Sequence, residues 1–471
     1  MSPPPRVAHP GEASVFLEAH PDVQFVDLLI ADMNGVVRGK RIERNSLAKV
    51  YEKGINLPAS LFALDINGST VESTGLGLDI GDADRVCLPI ADTLSYEPWQ
   101  KRPTAQLLMT MHELDGRPFF ADPREVLRQV IDRFDELGLT VCAAFELEFY
   151  LIDQENVNGR PQPPRSPISG KRPHSTQVYL IDDLDEYADC LQDILEGAKV
   201  QGIPADAIVK ESAPAQFEVN LHHVADPLKA CDYAVLLKRL IKNIAYDHEM
   251  DTTFMAKPYP GQAGNGLHVH ISLLDRDGNN IFASEDPQQN AALRHAIGGV
   301  LETLPASMAF LCPNVNSYRR FGAQFYVPNA PSWGLDNRTV ALRVPTGSPE
   351  AVRLEQTGRT GRTCRCGRAD RGQLLRAART QPAEQPARRP ARAGRQRDPG
   401  ALHQSRLHRH LRRLQGKRAG GIRALDLRPG VQLVPAHRVS RRANATRIAP
   451  SRGHLPDNAP PLRPWPGGFP T

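Results

Sequence analysis

The stretch at residues 141–153, VCAAFELEFYLID, constrains this chain more than any other. Apolar and polar positions alternate along it with the period of two that a half-buried strand requires. Val141, Ala143, Phe145, Leu147, Phe149 and Leu151 fall on one face, and Cys142, Ala144, Glu146, Glu148 and Tyr150 on the other. Two carboxylates one strand period apart then point the same way. Like charges that close repel, and a divalent cation between them is the natural remedy. A solvated strand face with two ordinary glutamates satisfies the same pattern, so the choice depends on what else the chain offers.

Half-polar strands recur downstream. In QFEVNLH, residues 216–222, Phe217, Val219 and Leu221 oppose Gln216, Glu218, Asn220 and His222. GQAGNGLHVHIS, residues 261–272, is a glycine-rich loop entering a strand with His268, His270 and Ser272 on one face. TVALRVP, residues 339–345, sets Thr339, Ala341 and Arg343 against Val340, Leu342 and Val344, and Arg353 and Glu355 are again two apart. Helical patterns at 184–201 and 227–250 lie between these strands. Another begins at Asp122-Pro123, an N-cap and a first-turn proline, and ends at Gly138. Its expected buried face is Val126, Val130, Ile131, Phe134 and Leu137. The economical architecture is a curved antiparallel sheet, covered by helices on its apolar side and charged on its concave side. Ahead of it, strands at 24–30, 35–42 and 105–112, a helix at 46–53 and an exposed loop at 65–84 read as a small α+β module.

Charge is unevenly spread. Residues 356–471 hold 26 Lys+Arg against 5 Asp+Glu, which leaves 32 and 48 in the body ahead of them. That tail has 25 arginines and 13 prolines but one Phe and one Trp, too little apolar material for a core, so disorder is expected. A nucleic-acid-binding tail and an out-of-frame translation of a GC-rich gene both fit this composition. The abrupt change beside a chemically rich stretch favours the second, and no nucleic-acid partner is expected. Seven cysteines without paired spacing argue for a reducing compartment. The N-terminus, MSPPPRVAHPGEA, has no apolar signal core, and no run approaches the ~18 apolar residues of a membrane span. The expectation is a cytoplasmic protein that no membrane holds.

Collected, the acidic set is Glu146, Glu148, Glu211, Glu218 and Glu355, joined by His268 and His270. Oxygen-dominated ligands suit Mg²⁺ or Mn²⁺ rather than zinc. The basic set is Arg320, Arg338, Arg343 and Arg353. Arginine grips carboxylate and phosphate with paired hydrogen bonds, so both sets together suit metal-assisted phosphoryl transfer. With no GxxxxGK[ST] loop, a bound nucleotide would rest on metals and arginines.

ExE in FELEFYL, the segment from Glu211 through QFEVNL, the GxGLHVHIS loop and strand, and NRTVALRVP at 337–345 together resemble glutamine synthetase. The resemblance covers residues 20–355 and is strongest to the branch that ligates glutamate to amines, the gamma-glutamylpolyamine synthetase-like proteins. It implies an α+β chain. A small N-terminal β-grasp domain at 20–115 carries DMNGVVRGK and FALDINGS, and a C-terminally incomplete catalytic domain at 116–355 precedes the tail at 356–471.

By the same resemblance, Glu148, Glu211 and Glu218 hold one metal ion, and Glu146, His268 and Glu355 a second. His270, Ser272 and Arg353 meet ATP, Arg338 and Arg343 steady its phosphates, and Asn265, Gly266 and Arg320 position glutamate. Arg338, Tyr326 and Asp65 are the implied catalytic contributors, Asp65 lying where a neighbouring subunit of a homo-oligomer closes over the sheet. The implied reaction is attack of the glutamate γ-carboxylate on ATP, then attack of an amine on the acyl phosphate. Members that use ammonia carry a glutamate where this chain has Tyr326, six residues after Arg320. An aromatic residue there favours a larger amine. Glutamine synthesis, or a catalytically dead relative, is the alternative. Because the family pattern breaks after Glu355, the chain as written is expected to be inactive, poorly soluble and quickly cut in its tail.

Overall fold

The structure is a computed structural model that describes residues 8–321, 326–328 and 330–358 of the 471-residue chain. Apart from its first three residues, the tail expected at 356–471 lies outside the described residues.

After α1 (Pro10–Ala19) the chain builds its first sheet from β1 (Phe25–Ala31), β2 (Val37–Glu43), β3 (Ile55–Pro58), β4 (Asp84–Pro89), β5 (Ser95–Tyr96) and β6 (Thr104–His112). Helix α2 (Leu47–Lys53) lies between β2 and β3. The strand order is β2-β1-β6-β4-β3, with β5 against β6, and β1 runs parallel to β6 while its other pairings are antiparallel. The β1–β2 turn closes on Asp32, whose Oδ1 accepts the amides of Asn34 and Val36 and whose Oδ2 accepts Arg38 Nε at 2.8 Å. An aspartate that satisfies its own turn amides in this way fixes the hairpin register. Val26, Leu28, Ile30, Leu107, Met109 and Met111 pack with Leu47, Val50 and Phe62 as one core.

The second sheet carries the chemistry. It is built from β7 (Thr140–Asp153), β8 (Ala205–Lys210), β9 (Gln216–Leu221), β10 (Met250–Thr253), β11 (Leu267–Leu274), β12 (Trp333–Leu335), β13 (Leu342–Val344) and β14 (Leu354–Gly358). Helices α3 (Pro123–Glu136), α4 (Ile181–Asp185), α5 (Ala188–Val200), α6 (Pro227–Asp247), α7 (Ala291–Leu311) and α8 (Val315–Tyr318) accompany it. The order is β12-β13-β14-β11-β7-β9-β8, with β10 on the far end of β7, and only the β12–β13 pair is parallel among the described residues. Leu147, Phe149, Leu151, Phe217 and Val219 fill the buried side against Ile194 of α5 and Leu237, Leu240 and Ile241 of α6. Each such side chain contributes about 1.5–3 kcal/mol by leaving water. That burial pins the alternation, because a one-residue slip would exchange the two faces of the strand.

Several local expectations change. Helix α3 does not bury Val126, Val130 and Leu137, which are exposed. Its N-cap Asp122 accepts the amide of Met111 and the hydroxyl of Thr110, while Arg124 pairs with Asp232 of α6 at 3.0 Å. These contacts rotate the first turn so that Glu125, rather than the apolar stripe, faces inward. The helical pattern at 184–201 breaks into α4 and α5 where Tyr187 turns out of the helix to donate to the Pro164 carbonyl at 3.0 Å. The pattern at 227–250 stops at Asp247, because Glu249 takes a left-handed φ of 59° and Met250 opens β10. Strands β3, β8, β10 and β12 carry too little alternation to stand out in the sequence.

A buried ion cluster ties α6 to the first sheet. Arg239 donates to Glu97 at 2.6 Å, to Asp27 at 2.9 Å and to Gln106 at 3.1 Å, and its guanidinium lies 5.5 Å from the Trp99 ring. Asp27 is 8% exposed and Glu97 is 0% exposed. Removing the cation leaves two buried carboxylates undercompensated. Arg239→Ala is therefore expected to cost about 3–5 kcal/mol of stability in a denaturant titration. A loss under about 1 kcal/mol would show that Arg41, which also grips Asp27, suffices.

Candidate active site

Register brings the sequence-predicted residues to one face. On β7 and β11, Glu146 stands opposite His268; on β7 and β9, Glu148 stands opposite Glu218. His270 faces Glu355 across β11 and β14, and Glu355 faces Arg343 across β14 and β13. Side chains of adjacent strands in register are within reach of one another, which is why five strands converge on one cluster. His268 Nδ1 lies 2.7 Å from Glu146 Oε2, and His270 Nε2 lies 2.9 Å from Glu146 Oε1. Arg353 Nε donates to His270 Nδ1 at 3.1 Å, which leaves the His270 proton on Nε2, facing Glu146. Glu355 takes Arg343 Nη1 at 2.9 Å and sits 3.9 Å from His268.

The cluster is crowded with negative charge. Burial alone would raise Glu146, but hydrogen bonds and charge from His268 and His270 hold it well below the usual carboxylate range. Burial pushes Glu218 up to about 8, aided by the charges of Glu146 and Glu148. Burial and Glu148 push Glu211, just past β8, up to about 7. Burial opposes the His268 charge, yet the Glu146 hydrogen bond and nearby Glu148 carry it up to about 9. Carboxylates raised by one another in this way lack a counter-charge of the size a divalent ion brings.

Two groups of ligand atoms lie within 4.8 Å of one another: Glu146 with Glu218 and His268, and Glu146 with His270 and Glu355. Glu146 belongs to both. This differs from the grouping that the family resemblance implies, which joined Glu218 to Glu148 and Glu211 and reserved His270 for nucleotide. Carboxylate oxygens with one imidazole fit Mg²⁺ or Mn²⁺, whose preferred donors are oxygen, and no thiolate competes in either group.

The loop before β11 supplies the second wall. Asn265 is buried and donates to the carbonyls of Thr253 and Met255, both at 3.0 Å. Gln216 Nε2 bridges Glu148 Oε2, the Gly264 carbonyl and Asn265 Oδ1, each at 3.2 Å. A Cβ on Gly266 would lie 2.6 Å from Glu148 Oε1 and 2.9 Å from His268 Nε2, so only glycine lets the backbone come this close. A Cβ on Gly264 would lie 2.8 Å from Arg320, which places Arg320 against the same loop. Burial lowers Arg320, and the Glu148 charge counters it.

Residue pattern places Gln216 on the polar face but gives it no role, and it does not mark Lys257, buried beside Arg320. A lysine before a proline and a glutamine in a strand carry no signal until the loop folds over them. His223, whose ring centroid lies 5.7 Å from that of His270, was missed for the same reason.

None of the remaining candidates belongs to either group of ligand atoms. Asp65 holds the amides of Asn67 and Ser69 in its own loop of the first sheet. Tyr326 is 81% exposed, and Arg338 is also exposed, next to Asp336. Ser272 is buried opposite Cys142 on β7.

Comparison with known proteins bears on this geometry. Residues 120–362 match the family described as Glutamine synthetase, catalytic domain. The chain is 46% identical over 345 residues to the gamma-glutamylputrescine synthetase of Escherichia coli strain K12, covering 73% of each chain. It is 33% identical to a glutamate–isopropylamine ligase of Pseudomonas sp, covering 72% of this chain and 74% of that one. The solved structure of a GmaS–ADP complex superposes with a TM-score of 0.62 at 26% identity, over 74% of this chain and 77% of that one.

Gly266→Ala tests the close approach directly. The added methyl must displace Glu148 or His268, and Mn²⁺ affinity is expected to fall by about 10–100-fold, as it does when a ligand's supporting shell is disturbed. Gly299→Ala, on α7 with open space around its Cβ and no left-handed φ, is the control. Equal affinities for the two variants would place the metal elsewhere.

Proposed function

The chain belongs to the glutamine synthetase family, and on that premise we propose that it is built as an ATP-dependent ligase joining the γ-carboxylate of glutamate to an amine larger than ammonia. The observation that carries this reading is the convergence of Glu146, Glu218, His268, His270 and Glu355 within two ligand groups, with Arg343 and Arg353 bonded to members of the same cluster. Mg²⁺ or Mn²⁺ held there supplies positive charge for the phosphates of ATP. Arg343 and Arg353 stand at the edge of the cluster, where guanidinium groups can take charge from a phosphoryl group in transfer. Arg320, half-buried beside Gly264 with its Nε buried and unbonded among the described residues, suits the carboxylate of glutamate. Asn265 and Gly266 shape the backbone beside it. His270, Ser272 and Arg338 are proposed for the nucleotide side.

In this reading a γ-carboxylate oxygen of glutamate bonds to the terminal phosphorus of ATP and ADP leaves. The amine nitrogen then bonds to the acyl carbon, phosphate leaves, and the amine gives up a proton. The exposed Tyr326 replaces a carboxylate at the amine side, which removes an anion that would favour ammonium. The relatives named for putrescine and isopropylamine support a larger amine. Residues 20–115 and 116–355 are proposed as the β-grasp and catalytic domains, with Asp65 presented to the site of a neighbouring copy in a homo-oligomer. Residues 356–471, apart from the three that complete β14, are proposed to contribute nothing to the site. A cytoplasmic setting accords with the five described cysteines, all free thiols.

Two chains test this: the 471-residue protein, and a chimera of residues 1–355 with the corresponding carboxyl segment of the Escherichia coli relative. The chimera is expected to release phosphate from ATP in the presence of glutamate faster with putrescine than with equal ammonium. Tyr326→Glu in the chimera is expected to shift that ratio toward ammonium. Faster release with ammonium would leave plain glutamine synthesis. The 471-residue protein is expected to show no turnover, and turnover in it would overturn the reading of its tail while leaving the ligase reading intact.

A further inference from the structure

Beside the Arg239 cluster lies an open cleft of about 470 Å³ between the first sheet and the end of α6. This volume is ordinary for a small-molecule site. Its chemistry is the reverse of the acidic sheet face. Arg41, Lys101 and Arg102 line it, against one carboxylate, Asp247. Arg41 spends Nε and Nη2 on Asp27, at 2.6 and 2.9 Å, and no hydrogen bond engages its Nη1 among the described residues. Lys101 and Arg102 are exposed and without ion-pair partners among the described residues.

Three aromatic residues, Phe25, Tyr246 and Trp99, complete the cleft. Tyr246 is largely exposed and lines the cleft. Trp99 is 7% exposed, and its Nε1–H is buried with no acceptor among the described residues. The indole is held from one side by the Arg239 guanidinium and borders the cleft on another.

We propose that this cleft is a binding site for a small flat-ringed anion, an aromatic body bearing one carboxylate or phosphate group. The anionic group meets Lys101, Arg102 and Arg41 Nη1, and the ring lies against Tyr246 and the part of Trp99 that borders the cleft. A ligand here touches both the first sheet and α6, the two elements that Arg239 joins.

The test is titration calorimetry on the full 471-residue chain at low concentration, with EDTA present so that the carboxylate cluster holds no metal. Phenyl phosphate and benzoate are the probes; inorganic phosphate lacks the ring and benzamide lacks the charge. Saturable binding of phenyl phosphate, benzoate or both is expected, with inorganic phosphate and benzamide about tenfold weaker or more. The tighter of the two probes tells phosphate from carboxylate. The double variant Lys101→Gln, Arg102→Gln changes exposed side chains only and is expected to weaken binding about tenfold or more. Quenching of indole emission by the ligand is expected to vanish in Trp99→Phe. No saturation with either probe, an unchanged midpoint in the double variant, or inorganic phosphate binding as tightly as phenyl phosphate would each overturn the proposal.

Discussion

Glu146 held between two imidazoles is the interaction on which the catalytic face depends. It stands on the central stretch of β7, bonded to His268 at 2.7 Å and facing His270 at 2.9 Å, and it is common to both groups of metal-ligating atoms. In a low-dielectric setting an isolated carboxylate would protonate, and its neighbours Glu211 and Glu218 lean that way. Glu146 stays ionised because both histidines point at it. The cost of gathering so many acids in one buried place is offset elsewhere, by the apolar side of the same strand packed on α5 and α6. Stability sits on one face of β7 and chemistry on the other.

Much of this was legible in the sequence, and the reason is period. A strand that alternates over its whole length declares both faces at once, so the ExE pair, the QFEVNL strand and the HVHIS strand could each be placed without knowing their partners. What alternation cannot state is which strand lies beside which. The opposition of Glu148 to Glu218, or of His270 to Glu355, needs register. The family resemblance implies two ligand sets with no residue in common, Glu148, Glu211 and Glu218 against Glu146, His268 and Glu355, whereas the distances seen here put Glu146 in both groups.

The misreadings have physical causes as well. The apolar stripe of α3 looked like a core face, yet the capping and ion-pair contacts of Asp122 and Arg124 fix the helix by its polar first turn. The contacts of Gln216 and Lys257 come from a loop folding back over a strand, a long-range event without local pattern. The short strands β3, β10 and β12 are held by their neighbours rather than by their own composition.

If Glu146 is the shared ligand, metal stoichiometry reports it more directly than activity does. Mn²⁺ binding to the full chain, followed by the loss of the free-ion paramagnetic signal, is expected to saturate at two ions per chain. Glu146→Gln is expected to abolish both, while Glu218→Gln, present in one group only, is expected to remove one and spare the other. Two ions retained by Glu146→Gln, or both lost in Glu218→Gln, would contradict a face organised around Glu146.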